Sequence, residues 1–443
     1  MDRHIVSRLL GWRPGKLAKG TLVMTAGMAL RTAGQAAVFL IVARVLGVAS
    51  YGAYVAVLAL ATGIGGLVGL GAPMIMLRDT ARDPAISNEG WGRTLASWFV
   101  TSPPLFLIFM FVAWVVLPKQ VDWVVVVCLG TAEIVLAPLI LAAIQLYQGH
   151  ERMGGAARLA LVPILPRIVA ALLLFPCSLI WLKPSALLMT WSFLYLLATT
   201  TAAGYSLWLV RRDFGVRNKI LISGLRNSMR QGWAFAAGGA AHKIYVDVDK
   251  VMLARLASLE AAGIYSAAYR VVDMASVPLL SFFSAATPRF FRAGQDGTRQ
   301  VVRFALSMLP IPTIYALVIG IALYMLAGML PLILGKGFAS AADALRWLVW
   351  VPLLTTLRYF LQNAFAASGR QQINVFVVVC GSLFNISLNL WAIQVWGWRG
   401  AIGATYAAEF AMCVGLAIMV SYVIKVPRSQ SMGRNSRKNS ILK

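Results

Sequence analysis

Ionisable side chains set inside long apolar stretches are the residues of this chain best placed to do chemistry. Lys243, Asp247 and Lys250 stand at i, i+4 and i+7, one face of a helix, and His242 and Asp249 form a second stripe beside them. A charge at mid-bilayer costs at least about 2.5–3.5 kcal/mol on insertion scales, so such a wide polar arc faces a cavity or a polar partner rather than lipid. Lys243 and Asp247 are equally well spaced for a plain intrahelical pair. Arg31 lies near the middle of another apolar stretch, with Gln35 one turn later. Its planar guanidinium fork matches the oxygens of a phosphate. Arg270 and Arg358 are further cations of this kind, although Arg270 can pair with Asp273 at i+3 and Arg358 can snorkel to the membrane surface. Arg167 follows Pro166 and reads as filling a broken helix. The acids Glu133, Asp247, Asp249, Asp273 and Glu409 are either sites that exchange a proton or hold Na+, or counter-ions to neighbouring cations. Asn385 and Asn389, one turn apart, suit interhelical hydrogen bonds or sugar hydroxyls.

The elements that position these residues follow from composition. Of 443 residues, 60 % are apolar and 12 % charged, with a mean hydropathy of +0.76. An ordinary globular domain is about 45–50 % apolar and about 25 % charged. The chain therefore reads as an all-α polytopic membrane protein, which excludes a nucleic-acid binder, a secreted disulfide scaffold and a disordered protein. Twelve stretches reach the roughly 20 residues that cross a bilayer: 21–42, 52–76, 95–117, 123–147, 159–182, 185–210, 231–254, 262–287, 302–326, 344–367, 372–396 and 401–424. Helices are expected, because backbone groups in lipid must be paired within the segment. The first stretch is too long for a cleaved signal peptide. Cys128, Cys177, Cys380 and Cys413 all fall inside these stretches without metal-ligand spacing, so no metal site is expected.

Charge placement orients the chain. With the N-terminus in the cytoplasm, 27 of the 40 Lys and Arg residues lie on the inside and seven on the outside. The positive-inside rule therefore puts both termini in the cytoplasm. Most of the net charge of +25 is thus topology rather than a sign of an acidic partner. Five divisions are expected: a basic cytoplasmic N-terminal segment 1–19, a six-helix bundle 20–210, a basic linker 211–230, a second six-helix bundle 231–424 and a disordered basic tail 425–443. The N-terminal segment mixes Ile5, Leu9, Leu10 and Trp12 with five basic residues, which suits contact with anionic membrane lipids.

An internal repeat supports two similar bundles. At an offset of 211 residues, Ala43, Arg44, Gly52, Tyr54 and Ala56 match Ala254, Arg255, Gly263, Tyr265 and Ala267 without a gap. Upstream, Ala26, Gly27 and Ala29 match Ala237, Gly238 and Ala240; downstream, Arg78 falls on Arg289. Two parallel six-helix bundles facing a cleft is an architecture of secondary transporters.

Around these residues a family resemblance emerges. Ala43-Arg44-Val45-Leu46-Gly47 followed by Tyr51-Gly52-Ala53-Tyr54 resembles the junction of the first two helices in Wzx-type oligosaccharide flippases, members of the multidrug/oligosaccharidyl-lipid/polysaccharide (MOP) exporter superfamily. Gly69-Leu70-Gly71 with Leu77-Arg78-Asp79 is similar to the family's pattern closing the second helix. Asp249-Lys250-Val251-Met252-Leu253 with Gly263-Ile264-Tyr265-Ser266-Ala267-Ala268-Tyr269-Arg270 is similar to the matching pattern at helices seven and eight. The resemblance implies a MATE/MOP-like fold in the plasma (inner) membrane of a bacterium. It also implies a transporter, not an enzyme, that flips undecaprenyl-pyrophosphate-linked oligosaccharides outward by alternating access. The product would be a cell-surface polysaccharide: O-antigen, exopolysaccharide or capsule. Other polysaccharide assembly proteins are the partners it suggests.

A pyrophosphate cargo needs a cationic intramembrane site, for which Arg31, Lys243, Arg270 and Arg358 are the candidates. No cofactor is expected beyond H+ or Na+ coupling, and no Gly-x4-Gly-Lys-Ser/Thr phosphate loop is present. The competing reading is a MATE-like multidrug or cation antiporter, whose site would favour acids. A membrane glycosyltransferase or polymerase fits less well, because every outer loop is only a few residues long.

Overall fold

A computed structural model describes residues 16–180, 184–216, 219–295, 298–368 and 371–425. The expected lipid-binding role of segment 1–19 falls largely outside them, and so does nearly all of the expected disordered tail. Every regular element among the described residues is a helix. Eight helices are long and apolar enough to cross a membrane: Ala29–Gly65, Pro84–Val116, Trp123–Gly149, Met153–Cys177, Ala186–Phe214, Gln300–Leu334, Gln372–Trp396 and Trp398–Ser421. Large apolar side chains stand open on their outer faces, among them Leu107, Trp114, Leu165, Met325 and Phe376. Such a surface is stable against hydrocarbon and would be a liability in water.

Differences from the twelve expected spans each have a local cause. The first two run on as one element, Lys16–Gly65, broken only at Gly47, whose φ of 74° and ψ of 170° leave the helical region. The seventh, in helix Leu225–Leu256, carries too many charges to count as apolar. The eighth divides into Leu259–Ala275 and Val277–Gln295, and the tenth into Ala339–Leu348 and Val351–Ala367.

The second span stops earlier than its hydropathy implies. After Gly65 the chain unwinds through Gly69 (φ 78°), Leu70 (φ 41°) and Gly71 (φ 75°), and helix Ala72–Arg82 restarts in a new direction. Backbone groups freed at membrane depth must find partners. Helix Ser87–Val116 supplies them: Thr101 Oγ1 accepts from the Gly69 N–H at 2.8 Å, and Ser97 Oγ donates to the Gly69 carbonyl at 2.6 Å.

The chain forms two compact units. The first comprises Met1–Met274, Leu326–Leu345 and Ile393–Ala401; the second comprises Ala275–Met325, Arg346–Ala392 and Ile402–Lys443. Helices Leu225–Leu256 and Leu259–Ala275, which follow the basic linker, thus belong with the helices before it. The repeat is visible here as a contact. A Cβ on Gly52 would lie 1.8 Å from the Leu259 carbonyl, and one on Gly263 would lie 2.0 Å from the Val48 carbonyl. The repeat-related glycines therefore let two helices cross backbone to backbone, as small residues do between membrane helices. In the second unit, Phe290 and Phe283 pack against Phe360 with centroids 5.7 and 5.4 Å apart, in a core with Leu279, Val301 and Ala364.

Candidate functional site

Eight charged residues of the first unit converge on a cavity of about 330 Å³. Its walls come from helices Lys16–Gly65, Ile164–Ile180, Pro184–Phe214, Leu225–Leu256 and Leu259–Ala275, together with the turn that carries Glu133. Five cations line it: Arg31, Arg167, Lys243, Lys250 and Arg270. They meet three carboxylates, Glu133, Asp247 and Asp273, so the lining carries an excess of two positive charges. One wall is aromatic, with Tyr54 5.9 Å from Trp191 and 6.1 Å from Tyr195 between ring centroids.

A second cavity of about 480 Å³ adjoins the first and shares Ile164 and the polar residues Arg31, Gln35, Thr62, Glu133, Arg167 and Lys243 with it. Its remaining walls are largely apolar, including Pro73, Met74, Leu141, Ile144 and Phe235. Together the two make an amphipathic space with Arg31, Arg167 and Lys243 at the junction.

Glu133 reaches this junction from an irregular stretch. Residues Thr131–Leu136 form a π-helical turn inside the span Trp123–Gly149, a distortion that is frequent at functional sites. A Cβ on Gly65 would come within 2.7 Å of the Glu133 carbonyl, so only glycine lets the end of helix Lys16–Gly65 approach this turn. Arg167 Nη2 lies 3.3 Å from Glu133 Oε1 and 3.4 Å from Thr199 Oγ1. Tyr195 donates its hydroxyl to the same Glu133 oxygen at 2.5 Å, and its ring lies 4.3 Å beneath the Arg167 guanidinium. At the other end, Lys250 is ion-paired with Asp247. The Tyr265 hydroxyl donates to Asp249, which also accepts from the Lys250 backbone N–H at 2.8 Å.

The structure places the sequence candidates as follows. Arg31 and Lys243 line both cavities, while Arg270, Asp247 and Asp273 line the smaller one. Among the described residues, no carboxylate lies within ion-pair distance of Arg31, Lys243 or Arg270. The spacings that offered Lys243 to Asp247 and Arg270 to Asp273 are not used; Asp247 takes Lys250 at i+3 instead.

Asp249 is buried behind the lining. Arg358 does not line this cavity. It lies in the second unit, buried in a two-point pair with Glu409 at 2.6 and 3.2 Å. Asn385 and Asn389 hydrogen-bond each other at 3.0 Å. Arg167, read from sequence as a helix filler, is the cation that spacing reasoning undervalued; its only sequence signal was a charge in an apolar stretch.

Apolar helices of this length and number define a class: a multi-pass helical membrane protein. Its relatives among solved structures agree. A MATE-family multidrug resistance transporter of the MOP superfamily in an inward-facing conformation matches with a TM-score of 0.61 at 18 % identity, covering 93 % of this chain and 100 % of that one. The lipid II flippase MurJ in an inward closed conformation matches with a TM-score of 0.68 at 11 % identity, covering 90 % of this chain and 87 % of that one. A MOP superfamily transporter from Pyrococcus furiosus, reported to have a binding pocket of reverse polarity, matches with a TM-score of 0.57 at 14 % identity, covering 92 % and 95 %. These likenesses establish the fold. No curated protein matches in sequence. The profile of the polysaccharide biosynthesis protein family matches residues 17–293, and the chain belongs to that family.

Proposed function

We propose that this protein flips a lipid-linked oligosaccharide, carried on an undecaprenyl-pyrophosphate-type anchor, from the cytoplasmic to the outer leaflet of a bacterial inner membrane. Both termini are cytoplasmic in this reading, and the product feeds cell-surface polysaccharide synthesis. Two six-helix halves, 20–210 and 231–424, alternate access to the site. H+ or Na+ coupling, with the cavity carboxylates as exchange sites, supplies the driving force.

The observation that carries the reading is the set of three cations, Arg31, Lys243 and Arg270, facing a membrane-embedded cavity without a carboxylate partner among the described residues. Uncompensated charge in that setting is expensive and marks a substrate path. An anionic cargo would compensate it, and the adjoining apolar cavity suits a lipid chain. Membership in a polysaccharide biosynthesis family and a fold like that of a lipid II flippase support the same reading.

The test is transfer of a fluorescent lipid-linked oligosaccharide across proteoliposomes, comparing wild type with Arg31→Ala of equal size-exclusion profile. The expected result is transfer by wild type and a loss of about tenfold or more in the variant, the scale of one charge-assisted contact. Equal transfer by both removes Arg31 from the site. Export of a cationic dye by a wild type that moves no lipid-linked sugar would instead identify a MATE-like antiporter.

A further inference from the structure

Charge is unevenly distributed around the two cavities. At their junction Arg31, Arg167 and Lys243 face one carboxylate, Glu133, an excess of two positive charges. Further into the smaller cavity, Lys250 and Arg270 face Asp247 and Asp273, and the charges balance. A pyrophosphate diester carries one negative charge per phosphoryl group and so two in all; a phosphate diester carries one.

Arg167 is held in one pose at this junction. Its Nη2 is shared between Glu133 and Thr199, its plane rests on Tyr195, and its Nε is buried. Neither Nε, which is buried, nor Nη1 has a hydrogen-bond partner among the described residues, on a side chain that lines both cavities. The 3.3 Å contact to Glu133 is longer than the about 2.7–2.9 Å of a saturated charge-assisted bond. Glu133 therefore orients the guanidinium without using up its capacity to bind an anion. Tyr195, bonded to the same carboxylate oxygen and stacked under Arg167, ties the two together.

We propose that Arg167 is a specificity-determining cation of the substrate site, positioned by Glu133 and Tyr195, and that it tunes the junction to a pyrophosphate diester over a phosphate diester. The carrier-attached sugar then occupies the charge-balanced end beside Tyr54 and Ser266, whose buried hydroxyl has no partner among the described residues. The lipid chain leaves through the apolar cavity. This rests on the flippase reading and names the headgroup chemistry of the same site.

The test measures binding of full-length protein in detergent to two probes, farnesyl pyrophosphoryl N-acetylglucosamine and farnesyl phosphoryl N-acetylglucosamine. Wild type is expected to favour the pyrophosphate by about tenfold or more, the scale of one added charge-assisted contact. Arg167→Gln is expected to remove most of that preference by weakening only the pyrophosphate, and Arg167→Lys to restore part of it. Tyr195→Phe is expected to lower the preference partway, with phosphate-diester affinity unchanged. Should Arg167→Gln fail to fold, Arg167→Lys and Tyr195→Phe keep the local charge and carry the test: a preference as large as wild type's in both overturns the place given to Arg167. Equal wild-type affinity for the two probes overturns the two-charge site. Full preference in either Arg167 variant overturns the place given to Arg167, and leaves the flippase reading intact if the wild type still transfers lipid-linked oligosaccharide. A wild type that binds neither probe and moves no lipid-linked oligosaccharide overturns both.

Discussion

Among the described membrane-spanning residues, two arginine–carboxylate pairs, one in each compact unit, are built differently. Arg358 and Glu409 meet through two hydrogen bonds at 2.6 and 3.2 Å, with side chains 9 % and 4 % exposed. Arg167 and Glu133 meet through one nitrogen at 3.3 Å, with side chains 19 % and 12 % exposed, and both line the open cavities. The fork of Arg358 is saturated by its partner, so that pair is a packing element with its charge cancelled. The fork of Arg167 is only oriented by its partner, so charge remains for a third participant. Identical chemistry thus serves structure in one place and recognition in the other. The difference lies in how many donors the partner consumes and whether the pair borders empty space.

The sharpest way to break this comparison is to remove one member of the saturated pair. Arg358→Ala takes the two-point ion-pair partner from the buried Glu409 carboxylate, which costs about 3–5 kcal/mol. Thermal unfolding in detergent should register that loss, and the double variant Arg358→Met/Glu409→Leu should recover most of it. An Arg358→Ala protein as stable as wild type would remove the structural role. Arg167→Ala should invert the order of effects. Its stability loss should be at most half that of Arg358→Ala, because the pair is more open, while lipid-linked sugar transfer falls about tenfold or more. Equal damage to stability from both variants would erase the distinction. Tyr195→Phe removes one hydrogen bond to Glu133 and should cost about 0.5–1.5 kcal/mol, with a transfer loss smaller than that of Arg167→Ala. The smallest change belongs to a surface pair: Glu89→Ala loses the i, i+4 contact to Arg93 and should cost about 0.3–0.5 kcal/mol, with transfer unchanged.

The sequence by itself determined the class of protein, because hydropathy and backbone satisfaction in lipid are properties of local stretches. Twenty residues of apolar chain must become a helix wherever they are in hydrocarbon, and the family was legible in the glycine, arginine and tyrosine pattern at residues 43–54 and 249–270. It also marked every ionisable group of the cavity as exceptional, from the cost of charge in lipid alone. Spacing could not say which of these groups face one another. Along one helix Asp247 has Lys243 at four residues and Lys250 at three, and only the packed side chains chose Lys250. Arg358 and Arg31 look alike as lone arginines in apolar spans, yet one is cancelled by Glu409, 51 residues later, and the other faces a cavity among cations. The early end of the second span was equally hidden, since the hydrogen-bond partners that make an unwound Gly69 tolerable sit on the next helix, at Ser97 and Thr101. Burial and cost are set residue by residue, whereas partnership depends on distances across helices, and only the tertiary structure decides those.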